Sequence, residues 1–141
     1  MTPGDALSIV MPAKNEAVNL QKLLPLLQAT LPGAELIVVN DGSKDDSLAL
    51  AQSFALRGVR VIDQPNAGAA AARNTGWRAC LSPLIARMDA DDRSHPERLV
   101  KQAARMEAED DLAVVACMVG TFPVDQVREG FRVYIEWLNE L

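Results

Sequence analysis

Short runs of consecutive apolar, β-rich residues alternate along this chain with longer runs of helical spacing, and that alternation leaves few folds open. Residues 7–11, 35–39, 59–63, 84–88 and 113–119 read as strands, the first stopped by Pro12. Residues 16–31 read as a helix with Leu20, Leu23, Leu24, Leu27 and Leu31 on one face, and Pro25 is expected to kink or break it. Asp45 or Asp46 is positioned to cap a helix running to Arg57, with Gly58 suited to its C-terminal end. Residues 69–81 form an alanine-rich helical run. Ser94 and Glu97 match a capping box with Pro96 in the first turn, for a helix reaching about Glu109. Residues 130–141 form a last helix with Phe131, Tyr134, Trp137 and Leu138 on one side. Strands that are apolar without alternation are buried on both faces, which implies a parallel sheet covered by helices above and below. Right-handed crossovers then bring every strand's carboxyl end to one edge, where open sheets of this kind bind ligands.

The expected fold class is therefore α/β, a Rossmann-like open, mostly parallel sheet with helices on both faces. At 141 residues the chain fits a single domain spanning 1–141. A hydrophobic fraction of 49% with 23% charged residues fits a packed core rather than disorder. No apolar run approaches the ~18 residues of a membrane span. The first residues lack the basic start and apolar stretch of a signal peptide, so a cytoplasmic location is expected. Cys80 and Cys117 lie in apolar surroundings and read as buried free thiols, with a disulfide left open. The net charge of −5 argues against nucleic acid as a partner. A phosphate ligand stays possible if a divalent cation sits between it and the acids.

Four polar clusters follow the first four strands: 12–16 (PAKNE), 40–43 (NDGS), 66–68 (NAG) leading into Arg73-Asn74, and 89–92 (DADD). The topology gathers them on one rim. Asp89, Asp91 and Asp92 repel one another unless a cation neutralises them, and hard oxygen donors suit Mg²⁺ or Mn²⁺. The plainer reading is an acidic turn that caps the following helix. Asp41 is placed to accept a hydrogen bond from a base imide or a ribose hydroxyl, or else to build an Asx-turn. Arg73 suits a phosphate or a base face, as does Lys14 a phosphate, though both side chains are more often simply solvated. Glu16 reads as a ligand contact or as an acid favoured near a helix start. His95, the only histidine, reads as a solvated first-turn residue.

Taken together, the segments SIVMPAKNEA (8–17), LIVVNDGSKDDS (36–47), NAGAAAARNTGW (66–77) and MDADDRSHPERL (88–99) resemble the N-terminal part of a family 2 glycosyltransferase with the GT-A fold. Their order and spacing match as well as their content. The resemblance implies transfer of a sugar from a nucleotide diphosphate, usually UDP, to an acceptor hydroxyl. It implies uridine contacts from Asn40-Asp41 and from the segment near Pro12 and Glu16, with Arg73 near the base or the diphosphate. Asp89 would lie on the ribose or sugar side. Asp91, the second acid of the DxD motif, would hold Mg²⁺ or Mn²⁺ against the diphosphate, with Asp89 beside it. Asn40 departs from the family's usual Asp.

The same resemblance implies a following half that carries the acceptor contacts and a general base, so the 141 residues read as a truncated GT-A fold. Asp125, Glu129, Glu136 and Glu140 read as solvated acids, and no catalytic residue is assigned. The acceptor is unknown. The competing reading is a truncated, non-catalytic nucleotide-binding or interaction module. A nucleotidyltransferase or a dinucleotide-binding dehydrogenase would need a glycine-rich loop after the first strand, where PAKNE stands instead. An open sheet edge and the apolar side of the last helix predict a homo-oligomer, with that helix a candidate for exchange between chains.

Overall fold

Three strands pair in parallel: β1 (Ser8–Ala13), β2 (Glu35–Asp41) and β3 (Val59–Gln64), with β2 in the middle. The computed structural model describes residues 7–90, 92–123 and 126–140. These fall into two compact units, one ending at Ile85 and the other beginning at Ala86. The sheet belongs to the first.

β2 dictates the layering. Leu36, Ile37, Val38 and Val39 are all buried, and side chains of a strand alternate between faces, so both faces need cover. Leu36 and Val38 pack with Leu20 and Leu24 of α1 (Ala17–Thr30), and with Ala51 of α2 (Ser47–Ser53) and Phe54 just beyond it. Ile37 and Val39 pack on the other face against Ala72 of α3 (Ala69–Ala79). This is the expected open α/β arrangement. The seat of α3 is very close: a Cβ on Gly76 would sit well inside van der Waals contact of the Val10 side chain and 3.1 Å from that of Val39.

Local details differ from the sequence expectation. β1 runs through Pro12 to Ala13, because an edge strand can hold a proline whose missing N–H is not needed by the ladder. α1 continues through Pro25. An interior proline costs about 3 kcal/mol, and burial of Leu20 and Leu24 at roughly 1.5–3 kcal/mol each offsets it. Leu23 and Leu31, expected on the buried face of α1, are exposed. The second helical segment ends at Ser53, followed by a 3₁₀ turn (Ala55–Arg57) that closes at Gly58 in the left-handed region.

The second unit holds α4 (Arg98–Ala108) and α5 (Glu129–Glu140), neither with a buried residue. The capping box is not formed. α4 starts later, at Arg98, because Ser94 accepts from the Arg98 guanidinium at 3.0 Å while Glu97 pairs with Lys101 at 2.8 Å. Segments 84–88 and 113–119 carry no strand. Strand character depends on a partner; in 84–88 the Arg98 guanidinium donates to the Arg87 carbonyl, and in 113–119 side-chain amides take up part of the backbone. Asn139 bonds both the N–H and the C=O of Val119, at 2.8 and 2.7 Å, and Gln102 donates to the Val115 carbonyl at 3.1 Å. Both cysteines are free, but neither is buried as expected: Cys80 is half-buried and Cys117 exposed. Among the described residues no helix is long and apolar enough to cross a membrane.

Candidate functional site

The carboxyl edge of the sheet is where the loops after β1, β2 and β3 interlock. Asn15 takes a left-handed backbone (φ 59°), donates its N–H to Ser43 Oγ at 3.0 Å and accepts from the Lys44 N–H at 2.8 Å. The first N–H groups of a helix have no partner within the helix. At the start of α1 two find theirs just after β2: Glu16 N–H donates to Oγ of Ser47, the first residue of α2, at 2.8 Å, and Ala17 N–H to Asp45 Oδ2 at 3.2 Å. Ser47 is fully buried in this role. The Ser47 hydroxyl and N–H, and the Ala17 N–H, hold the Asp45 carboxyl below the usual carboxylate range against the opposing effect of desolvation.

Asp41 lies at the centre. It is 2% exposed and its carboxylate serves the next loop rather than its own. Oδ1 accepts from the Ala67 N–H at 2.8 Å and from Gln64 Nε2 at 2.7 Å; Oδ2 accepts from the Gly68 N–H at 2.9 Å. The Ala67 bond first, then Gln64, with further help from Gly68 and the Lys14 charge, lower its pKa below the usual range although burial opposes them. Gly42 has φ 65° and packs so closely that a Cβ would come within 2.7 Å of the Asn66 backbone nitrogen. Gly68, at φ 90°, opens α3. Lys14, after β1, reaches Asn66, after β3, at 2.9 Å. Because β2 separates those strands, this bridge spans the end of β2.

Asn40, also 2% exposed, donates from Nδ2 to Asp63 at 2.7 Å, while its Oδ1 is buried without a partner among the described residues.

The sequence-predicted residues divide as follows. Pro12, Glu16 and Asp41 share the carboxyl edge; Pro12 is exposed in register with Val39, and the Glu16 carboxylate accepts from Asn19 at 2.6 Å. Arg73 is exposed on α3, which the Asp41-held loop leads into, and it has no hydrogen bond or ion pair among the described residues. Asp89 belongs to the second unit, where it is exposed and 3.6 Å from Arg87. Asp91 lies outside the described residues, as does Asp125. Among the described residues no three His, Cys, Asp or Glu side chains form a metal-holding group. The oxygen donors of Asp89 and Asp92 are nonetheless of the hard type that Mg²⁺ and Mn²⁺ accept. Sequence reading missed Gln64 and Ser47. Gln64 is the parallel-register partner of Asp41, one residue beyond the expected end of β3, and the pairing shows only once β2 and β3 are aligned.

The family model for glycosyl transferase family 2 matches residues 8–137. The chain belongs to that family. It is similar to the uncharacterized glycosyltransferase YibD of Escherichia coli K12, at 34% identity over 99% of this chain and 44% of the relative. It is similar also to the uncharacterized glycosyltransferase EpsJ of Bacillus subtilis 168, at 37% identity over 78% of this chain and 33% of the relative. A third similarity, at 31% identity over 99% of this chain and 41% of the relative, is to an undecaprenyl-phosphate 4-deoxy-4-formamido-L-arabinose transferase of Pseudomonas fluorescens Pf-5. The chain thus spans less than half the length of each of these three relatives. Its parallel sheet, layered by helices, is the open α/β form that family 2 membership implies, and the interlocked loops lie within the matched residues.

Proposed function

We propose that this family 2 chain is the donor-binding part of a glycosyltransferase that takes a nucleotide-diphosphate sugar, a UDP-sugar, with a divalent cation. The observation that carries the reading is Asp41: a low-pKa carboxylate held by three hydrogen bonds where three loops meet, with cationic Lys14 beside it and, on the helix that follows, Arg73 without a hydrogen bond or ion pair among the described residues. A fixed anionic acceptor suits an imide N–H or a ribose hydroxyl, and a free guanidinium suits phosphate oxygens. The overall reaction breaks the bond from the anomeric carbon to the diphosphate and forms one to an acceptor hydroxyl. Asp89 and Asp91 are the residues that would hold Mg²⁺ or Mn²⁺, and the bound ion would stabilise charge on the departing diphosphate. The acceptor and the general base are unassigned. Free thiols at Cys80 and Cys117 suit a reducing compartment, so a cytoplasmic site of action goes with this reading.

Calorimetric titration with UDP, with and without Mn²⁺, tests the proposal on the wild type, Asp41→Asn and Asp91→Ala. Metal-enhanced UDP binding that Asp91→Ala loses supports it. Absence of UDP binding under every condition would remove it and leave the non-catalytic interaction module. A specific observation keeps that alternative in view: α5 exposes Phe131, Tyr134, Trp137 and Leu138 along one helix. Such a stripe favours self-association, and we propose a homo-oligomer formed through it. Light scattering that gives a monomer mass for the wild type would reject this, as would an oligomer unaffected by Trp137→Glu.

A further inference from the structure

A carboxylate offers about four acceptor positions, two on each oxygen. In Asp41 both positions on Oδ1 are filled, one by Gln64 Nε2 at 2.7 Å and one by the Ala67 N–H at 2.8 Å. On Oδ2 only one is filled among the described residues, by the Gly68 N–H at 2.9 Å. One acceptor position is left, and it is on Oδ2. The two backbone donors are fixed by the turn into α3. Gln64 is the one side chain among the three, placed by the strand register that sets Asp41 against it.

Nucleobases differ in what they would present to such a group. Uracil offers a single imide N–H between two carbonyl acceptors. Guanine offers two adjacent N–H donors, which match a carboxylate that has both oxygens open. Cytosine and adenine, held in the pose that a uracil imide takes, would turn a ring-nitrogen lone pair toward the carboxylate, which is repulsive, and only a shifted pose would bring their exocyclic amino group to it. We propose that Gln64 is a positioning residue that sets base selectivity: by occupying Asp41 Oδ1 it limits the carboxylate to one incoming donor, so the site takes a uracil-type imide and disfavours guanine. Discrimination of this kind is strong because a donor brought into the site without an acceptor is desolvated and unpaired. The inference rests on the donor-site reading above and adds to it the residue that chooses the base.

The experiment titrates UDP, GDP and CDP into the wild type and into Gln64→Met, a variant of similar length without the amide. Gln64→Ser repeats the measurement should the methionine disturb folding, and thermal melts verify both variants. Removing the amide frees the second Oδ1 position to a displaceable water. The expected result is a wild type that prefers UDP over GDP and variants in which that preference narrows by roughly tenfold, mostly through tighter GDP binding. Equal weakening of UDP and GDP in the variants would overturn the inference and leave the donor site intact. A wild type that binds GDP as well as UDP would do the same. A wild type that binds no nucleotide would overturn both readings together.

Discussion

At the scale of single residues, Asp41 connects stability to pH. Its folded pKa lies below the unfolded value near 3.9. A carboxylate of that kind contributes stability that is fully present above the unfolded pKa and lost as pH falls through the folded one. The wild type is therefore expected to melt higher than Asp41→Asn at pH 7, with the gap closing as pH drops below about 4. Melting curves of both proteins from pH 7 to pH 3 measure this, and a gap that does not narrow at all below pH 4 would show that the carboxylate charge is irrelevant. The importance of Asp41 was legible in the sequence, from its place after an apolar run and before Gly42-Ser43. Its partners were not, since they come from a loop more than twenty residues away and depend on strand register. The same holds for Asn40, whose bond to Asp63 becomes visible only when β2 and β3 are aligned.

At the scale of elements, two junctions decide how the edge is built. α1 takes its cap from Asp45 in the β2–α2 loop and from Ser47, the first residue of α2, so Ser47 supports a helix to which it does not belong. Ser47→Ala is expected to lower stability by about 1–2 kcal/mol, the usual loss of an N-cap, and denaturant titration reads it directly. α3 lies against β1 and β2 at Gly76. Alanine there would gain up to about 1 kcal/mol of helix propensity but must displace the stiff, branched Val10. Overpacking costs about 1–3 kcal/mol, so Gly76→Ala is expected to be net destabilising, by roughly 1 kcal/mol or more. Thermal melts of Gly76→Ala, alone and with Val10→Ala to make room, check it; the double variant should lose less than the two single losses summed. Hydrophobic periodicity made β2, β3, α1 and α3 readable because their burial follows from their own sequence. It misplaced strands at 84–88 and 113–119, because an apolar run states what can be buried and not whether a neighbour is there to pair with it. Val119, bonded by the Asn139 amide, is the plainest case.

At the scale of the whole molecule, the burial is uneven. Every hydrophobic side chain of the described core lies between Ala13 and Ala72, whereas α4 and α5 bury none. Local stability follows buried contacts. Hydrogen exchange is expected to be slowest in β2, around residues 36–39, and faster by orders of magnitude in α5. If α5 is the proposed association face, its protection should rise with protein concentration while that of β2 stays constant. Protection in α5 equal to that of β2 in a dilute monomer would contradict this distribution.

The bridge from Lys14 to Asn66 bears on timing. It is exposed and joins a mobile charged side chain to a neutral amide. Rotamer changes of exposed side chains take picoseconds to nanoseconds, far less than the interval between productive encounters with a dilute small molecule. The end of β2 is thus uncovered many times before any visitor arrives. Arrival at Asp41 is paced by diffusion and orientation, and the lysine acts as a swinging door rather than a lock.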